Sequence, residues 1–197
     1  MLLNLDGLTS LIAAVGYANY VFDLRGVEFA EPVSTLRLSL LDTEGSGGRV
    51  DFSLAISGLV AFDIRNCSWL SACELRDTHP LLLHYQEPHG SLYLKGRTER
   101  AKELAFDLFT IHQAVYGHWR PFNPQILDVL RWEHGLLAEG PQVLLQRYAD
   151  TLEAYGIQPS LLIAYTPGPS ELSILTLDDS YFIGRRFEVT AEGLAGA

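Results

Sequence analysis

The sequence predicts an α+β fold: a largely antiparallel β-sheet with several hairpins, packed against about three to four α-helices. Two observations carry that expectation. Segments of apolar/polar alternation crowd the two ends of the chain, while helical spacing fills its middle. The resulting order of strands, helices and strands lacks the βαβαβ alternation of a parallel sheet. At 197 residues the chain is expected to form a single globular α+β domain, residues 1–197. A chain of that length buries roughly 70% of its unfolded surface and needs no staples.

The opening stretch, MLLNLDGLTSLIAAVGYANYVFD, reads as a short core helix leading into a strand. It has no basic leader region, and Asp6, Gly7 and Gly16 interrupt it. Its apolar run falls far short of the roughly 20 residues that a membrane span requires. Strand patterns follow. TLRLSL alternates Leu36, Leu38 and Leu40 with Thr35, Arg37 and Ser39. RVDFSLAI alternates Val50, Phe52, Leu54 and Ile56 with Arg49, Asp51, Ser53 and Ala55. The flexible-looking LDTEGSGGR, residues 41–49, lies between them. VAFDIR sets Val60, Phe62 and Ile64 on one face, and a hairpin at Ser57-Gly58 is expected to place Asp51 opposite Arg65. Phe52 then meets Ile64, and Leu54 meets Phe62. A further hairpin is expected from PLLLHYQ and SLYLKG around Glu87-Pro88-His89-Gly90, with Pro and Gly at type I turn positions.

After Gly96 the period changes. Ala101, Leu104, Ala105, Leu108, Ile111, His112 and Val115 fall at helical spacing behind Thr98 as N-cap, and Gly117 closes the helix. Asn123-Pro124 has the chemistry of an N-cap and first turn, so a second helix is expected through QILDVLRWEHGLL. The run between them, GHWRPFNP at 117–124, is an inter-helix connector in which Trp119 and Phe122 pack against the core and Arg120 alone has no structural assignment. A third helix follows Gly140-Pro141, with Leu145, Tyr148, Leu152 and Tyr155 on one stripe and Gly156 as its stop. LLIAY, ELSILTL and SYFIGRRFEV close the chain as strands, the last two around a turn at Asp178-Asp179-Ser180. The expected sheet thus draws on residues about 34–66, 80–95 and 160–190, and the helices on about 98–116, 124–138 and 141–155.

Charge narrows the function classes. The chain carries 24 acidic against 14 basic residues, a formal net charge of −10, and its basic residues are scattered. Lys95 and Lys102 are its only lysines. Nucleic acids and anionic membranes are bound by clustered Lys and Arg, so neither is an expected partner. Charged residues make up 19% and hydrophobic ones 48%, which predicts an exposed apolar patch and self-association, most simply a homodimer. The acidic balance suits a basic protein as the other possible partner. Cys67 and Cys73 read as reduced, packed thiols, and the protein as cytoplasmic.

The candidate chemistry is sparse. No P-loop or GxGxxG follows a strand, no GxSxG or HExxH occurs, and no cofactor is expected. His79, His84 and His89 are spaced by five, which on a strand brings no two to one face, so no metal site is expected. Asp51 and Asp63 could share a sheet face as a carboxylate pair, but Arg49 and Arg65 share it too and make an ion lattice the simpler reading. His112 lies on the inner helix stripe, as a core-edge residue bonded to backbone; His118 follows the helix end, where a cation caps carbonyls. Two functions remain. The first is protein–protein contact, as an adaptor, inhibitor or oligomeric scaffold, with no catalytic residues. The alternative is a small-molecule-binding domain or enzyme whose pocket is rimmed by His112, His118, Trp119 and Arg120, with Arg120 clamping an anion.

Overall fold

The computed structural model describes residues 19–44, 48–166 and 171–192. The expected N-terminal core helix and the middle of the 41–49 link lie outside the described residues. In chain order the strands are β1 (Tyr20–Glu28), β2 (Val33–Asp42), β3 (Arg49–Ser57), β4 (Ala61–Asp63), β5 (Cys73–Arg76), β6 (His89–Lys95), β7 (His134–Pro141), β8 (Gln158–Tyr165), β9 (Ser173–Leu177), β10 (Ser180–Gly184) and β11 (Arg186–Glu192). The helices are α1 (Leu83–Gln86), α2 (Ala101–Tyr116), α3 (Ile126–Arg131) and α4 (Gln142–Ala154). All strand pairings are antiparallel, in three sheets, so the class is α+β with several hairpins. Among the described residues no helix is long and apolar enough to cross a membrane. The chain divides into two compact units: Met1–Thr78 with Glu171–Ala197, and His79–Ser170 inserted between those segments.

The first unit is built of two four-stranded sheets, ordered β1-β2-β3-β11 and β4-β10-β9-β5. Period-two alternation dictates this arrangement, because each strand has one apolar face to bury. Leu36, Leu38 and Leu40 of β2 face Leu54, Phe52 and Val50 of β3 in register. These side chains join Phe22, Phe187 and Val189 from the same sheet and Leu175, Leu177 and Phe182 from the other in one core. The opposite face of the first sheet is polar: Ser39 accepts from Arg25 Nε at 3.2 Å and donates to Asp51 Oδ1 at 2.5 Å. The turn at Asp178-Asp179 forms as expected, with Asp178 at φ 49, and its carboxylate accepts from the amides of Ser71 and Ala72.

The second unit is a three-stranded sheet, ordered β7-β6-β8, with α4 packed on it and α2 packed against α4. Leu92 and Leu94 of β6 share a core with Leu104, Leu108 and Tyr116 of α2 and with Leu145, Tyr148 and Leu152 of α4. The 3.6-residue spacing of the two long helices accounts for their buried stripes.

Three sequence expectations are corrected by this topology. The hairpin at Ser57-Gly58 does not form: both edges of β3 are taken, by β2 and β11, and β4 crosses to the other sheet, where Phe62 pairs with Phe182. Asp51 and Asp63 therefore sit in different sheets and make no carboxylate pair. PLLLHYQ is not a strand. His79 Nδ1 accepts from Leu81 N–H at 3.2 Å and Pro80 takes the first turn, so the segment coils as a short 3-10 turn, Pro80–Leu82, continued by α1. The expected second helix, through Leu137, stops at Arg131. Glu133 enters the left-handed region at φ 59 and Gly135 takes φ 145, reversing the chain into β7 alongside β6.

One close approach supports a direct test. A Cβ added at Gly90 would collide with the backbone carbonyl of Leu162 on β8, and neither strand can retreat without breaking the sheet. Gly90→Ala is expected to destabilise the protein by about 1–3 kcal/mol, the cost of overpacking. Chemical denaturation that leaves the midpoint unchanged would contradict the β6–β8 register.

Candidate functional site

The connector is organised by His112. Helix α2 ends where Gly117 takes φ 56 and donates to Gln113 O at 2.8 Å. Asn123 Oδ1 accepts from Gln125 N–H at 2.9 Å, and Gln125 rather than Asn123 is the cap of α3. Between these ends His112 Nε2 lies 2.9 Å from the Arg120 carbonyl and Nδ1 lies 3.0 Å from the Tyr148 hydroxyl. A carbonyl only accepts, so Nε2 carries the proton and donates it, and Nδ1 accepts from Tyr148. One imidazole thus ties α2, the connector and α4 together, with both ring nitrogens occupied. Burial lowers the His112 pKa; the bond to the Arg120 carbonyl opposes that, and the Arg120 charge reinforces it. A ring held neutral with its lone pair bonded is a structural element rather than a poised base.

The four nominated residues separate into two groups. His112 and Arg120 come together, and the Arg120 guanidinium also lies over the Tyr116 ring, 5.5 Å from its centroid. The His118 and Trp119 rings lie 4.6 Å apart with their planes tilted by 34°, and Trp119 meets the His79 ring edge-on at 4.8 Å. Phe122 reaches the core, against His112 at 5.4 Å and Phe109 at 5.7 Å. His84 and His89 converge after all, because one is helical and the other begins β6; His89 Nε2 lies 2.8 Å from His84 Nδ1. His89, which the sequence places in a turn, is instead the first residue of β6 and half-buried. Among the described residues no group of three or more His, Cys, Asp or Glu could hold a metal ion.

A larger concave surface lies in the first unit. Its volume is about 780 Å³, and Phe29, Pro32, Val33, Val60, Phe62 and Arg185 are among its lining residues. It is an open groove rather than a closed cavity: Phe29 is 50% exposed, Val33 38%, Val60 47% and Phe62 46%. Phe29 stacks on Phe62 at 4.3 Å, and Phe62 on the buried Phe182 at 6.3 Å, so an aromatic ladder runs from the core to the groove. Gly58, at φ 62, makes room for the Arg185 stem. Glu31 and Arg185 both line the groove, and both are exposed. Neither has an ion-pair or hydrogen-bond partner for its charged group among the described residues.

The sequence reading missed this groove for a physical reason. Val60 and Phe62 alternate like core residues, and only the change of partner strand leaves them at the surface. The one sequence signal is the unpatterned loop FAEP before β2, which carries Phe29 and Glu31. No protein-family model, curated protein or solved structure matches the chain.

The His112 bridge has a pH signature. A histidine whose folded pKa lies below its ordinary value of 6.5 stabilises the fold fully above that value and loses the contribution as pH falls through the folded pKa. Thermal unfolding is expected to show stability falling on acidification below about pH 6.5. His112→Gln should flatten that slope and cost about 1–3 kcal/mol at neutral pH, by orphaning the Tyr148 hydroxyl. An unchanged pH slope in the variant would contradict this account.

Proposed function

We propose that the protein works through protein–protein contact as a homodimer, and that the groove of the first unit is its self-association face. The observation that carries this reading is the exposed Phe29–Phe62 stack flanked by two unpaired opposite charges, Glu31 and Arg185. A two-fold interface must be self-complementary, residue i against j and j against i. A patch bearing one acid and one base at its rim meets that condition, since each copy's Arg185 can pair with the other's Glu31. The apolar centre supplies the driving force. A net charge of −10 on each copy opposes association, but exposed charges separated by more than about 8 Å are largely screened at physiological salt.

The groove suits a macromolecular occupant better than a small one, because its aromatic walls stay half-exposed and leave a small ligand largely in water. Cys67 and Cys73 are both free thiols, and burial pushes the Cys73 thiol up to about 12. Cys67 is exposed rather than packed as the sequence led us to expect, and two unbridged thiols, one of them open to solvent, suit a reducing, cytoplasmic setting.

Sedimentation velocity at tens of micromolar tests the reading. The wild type is expected at dimer mass, burying about 1,200 Å² or more in total. Phe62→Ala should weaken the dimer about thirtyfold, the loss of one hot spot. Glu31→Arg and Arg185→Glu should each dissociate it, and the two together should restore it. A wild type of monomer mass defeats the reading and leaves a basic protein as the groove's occupant; a double variant no better than either single one defeats the isologous pairing.

A further inference from the structure

The outer strands of the three sheets are β1, β11, β4, β5, β7 and β8, and each shows a row of backbone groups that another chain could pair with. All but one are guarded. β1 is bridged by the 67–70 segment: Phe22 N–H bonds the Leu70 carbonyl at 2.8 Å, and Leu24 N–H bonds that of Cys67 at 2.6 Å. β11 carries the Arg186–Glu188 ion pair. β4 and β5 are only three and four residues long, and each holds an ion-paired carboxylate, Asp63 and Glu74. β7 holds the exposed Glu139, is bulged opposite Leu92 and Tyr93, and ends at Pro141. β8 is neither covered, charged nor short. It runs for eight residues, and no charged residue occurs between Glu153 and Glu171. Its register shift falls beyond Ile163, and its proline, Pro159, stands near the start and leaves the amides after it free.

The direction of each backbone group in β8 follows from its partner β6. Just past β6, Gly96 N–H bonds the Glu133 carbonyl at 2.6 Å, so the even-numbered residues of β6 turn toward β7 and the odd-numbered ones toward β8. Those odd residues, Ser91, Tyr93 and Lys95, stand opposite Leu162, Ser160 and Gln158. The Leu162 carbonyl agrees, since it reaches toward β6 closely enough that a Cβ on Gly90 would strike it. Gln158, Ser160 and Leu162 therefore direct their N–H and C=O groups to β6, and Pro159, Leu161 and Ile163 turn theirs outward. Pro159 fits this phase, because a strand proline belongs where its nitrogen faces away from the ladder. The free edge thus offers the N–H groups of Leu161 and Ile163 and the carbonyls of Pro159, Leu161 and Ile163. Among the described residues no backbone group pairs with them. The side chains beside this edge are apolar too: Leu162 and Ile163 are exposed, and so is Tyr93, diagonal to Leu162 on β6.

We propose that β8 is a strand-addition site, which takes an extended, uncharged segment of another protein as a further strand of this sheet. The outward N–H and C=O groups hold the backbone of that segment. Apolar residues opposite Leu161, Leu162 and Ile163 fit the side chains on both faces, and a proline at a paired position does not fit. A second copy of this chain is the poorer occupant. Brought in antiparallel about Leu161, it sets its own Pro159 against Ile163, with no N–H to donate to the Ile163 carbonyl. Its net charge of −10 also repels the first copy, whereas an uncharged segment meets no such repulsion. The site is in the second unit and is independent of the groove and of the dimer reading.

A short peptide of alternating Val and Thr, capped at both ends, is the probe, and amide hydrogen exchange followed by NMR is the readout. In the free protein the Ser160 and Leu162 amides are expected to exchange slowly and those of Leu161 and Ile163 fast. The peptide should bind saturably, one per chain, and bring Leu161 and Ile163 into the slow class. The same peptide N-methylated at two adjacent central residues, which blocks both of its edges, should not bind. Ile163→Pro removes an outward donor and no bond to β6, so it should weaken binding about tenfold, the loss of one hydrogen bond. Slow exchange at Ser160 and Leu162 in that variant checks that β8 is intact. Leu162→Lys places a charge on the exposed face of the strand; it should also weaken binding, and it carries the test if the proline variant does not fold. No saturable binding, equal binding of the N-methylated peptide, or affinity unchanged in the folded variants would overturn the proposal. Leu161 and Ile163 amides already slow without peptide, and slower at higher protein concentration, would overturn it in favour of a second copy on this edge.

Discussion

The first unit depends on pairing the two ends of the chain. β11 adds to β3, β10 to β4 and β9 to β5, so neither of its sheets is complete until residues beyond 171 return to the N-terminal strands. The contact is tight: a Cβ at Gly184 would stand 2.6 Å from Ile56 Cγ2, and Arg185 N–H bonds the Ser57 carbonyl at 3.0 Å. Residues 79–170 are a whole second unit carried in the intervening loop. Loop-closure entropy rises only by about 0.6 kcal/mol per doubling of length, which explains how so long an insertion is tolerated. Its effect falls on rate, because contacts this distant in sequence form slowly.

The groove is a product of the same closure. Its walls combine Phe29, Val33 and Phe62 from the N-terminal segment with Arg185 from the C-terminal one. Phe62 reaches the surface because it pairs with Phe182 in a three-residue edge strand, where one ring is buried and the next is not. The second unit has a different organising contact. There a single neutral imidazole, His112, uses both nitrogens to fix the connector, and the Arg120 side chain beside that bond lies over the Tyr116 ring.

What was legible in the sequence followed local rules. The faces of β2 and β3, the stripe of α2, the Gly117 stop and the Asp178 turn are each written within a few residues. What was illegible depended on partners distant in sequence. Nothing near Ser57 states that β11 occupies the edge of β3, so the local hairpin was the reasonable expectation and the wrong one. The segment 132–138 was misread because LDVLR and LLA share a helical period, and only the left-handed turn at Glu133 separates them. The convergence of His84 with His89 was hidden by reading PLLLHYQ as a strand. For the candidate site, Arg120 stood out as the connector residue without a structural assignment, but the placement of its guanidinium over the Tyr116 ring could be seen only in three dimensions.

If the groove is a self-association face, its loop amides must feel the partner. Phe29, Ala30 and Glu31 precede β2 outside any strand ladder, so in an isolated chain their amides exchange freely with solvent. Hydrogen–deuterium exchange read by mass spectrometry across a concentration series tests this most directly. Protection of the peptide spanning 29–33 should rise with protein concentration, in step with dimer formation. An exchange rate for that peptide that is independent of concentration would contradict the account.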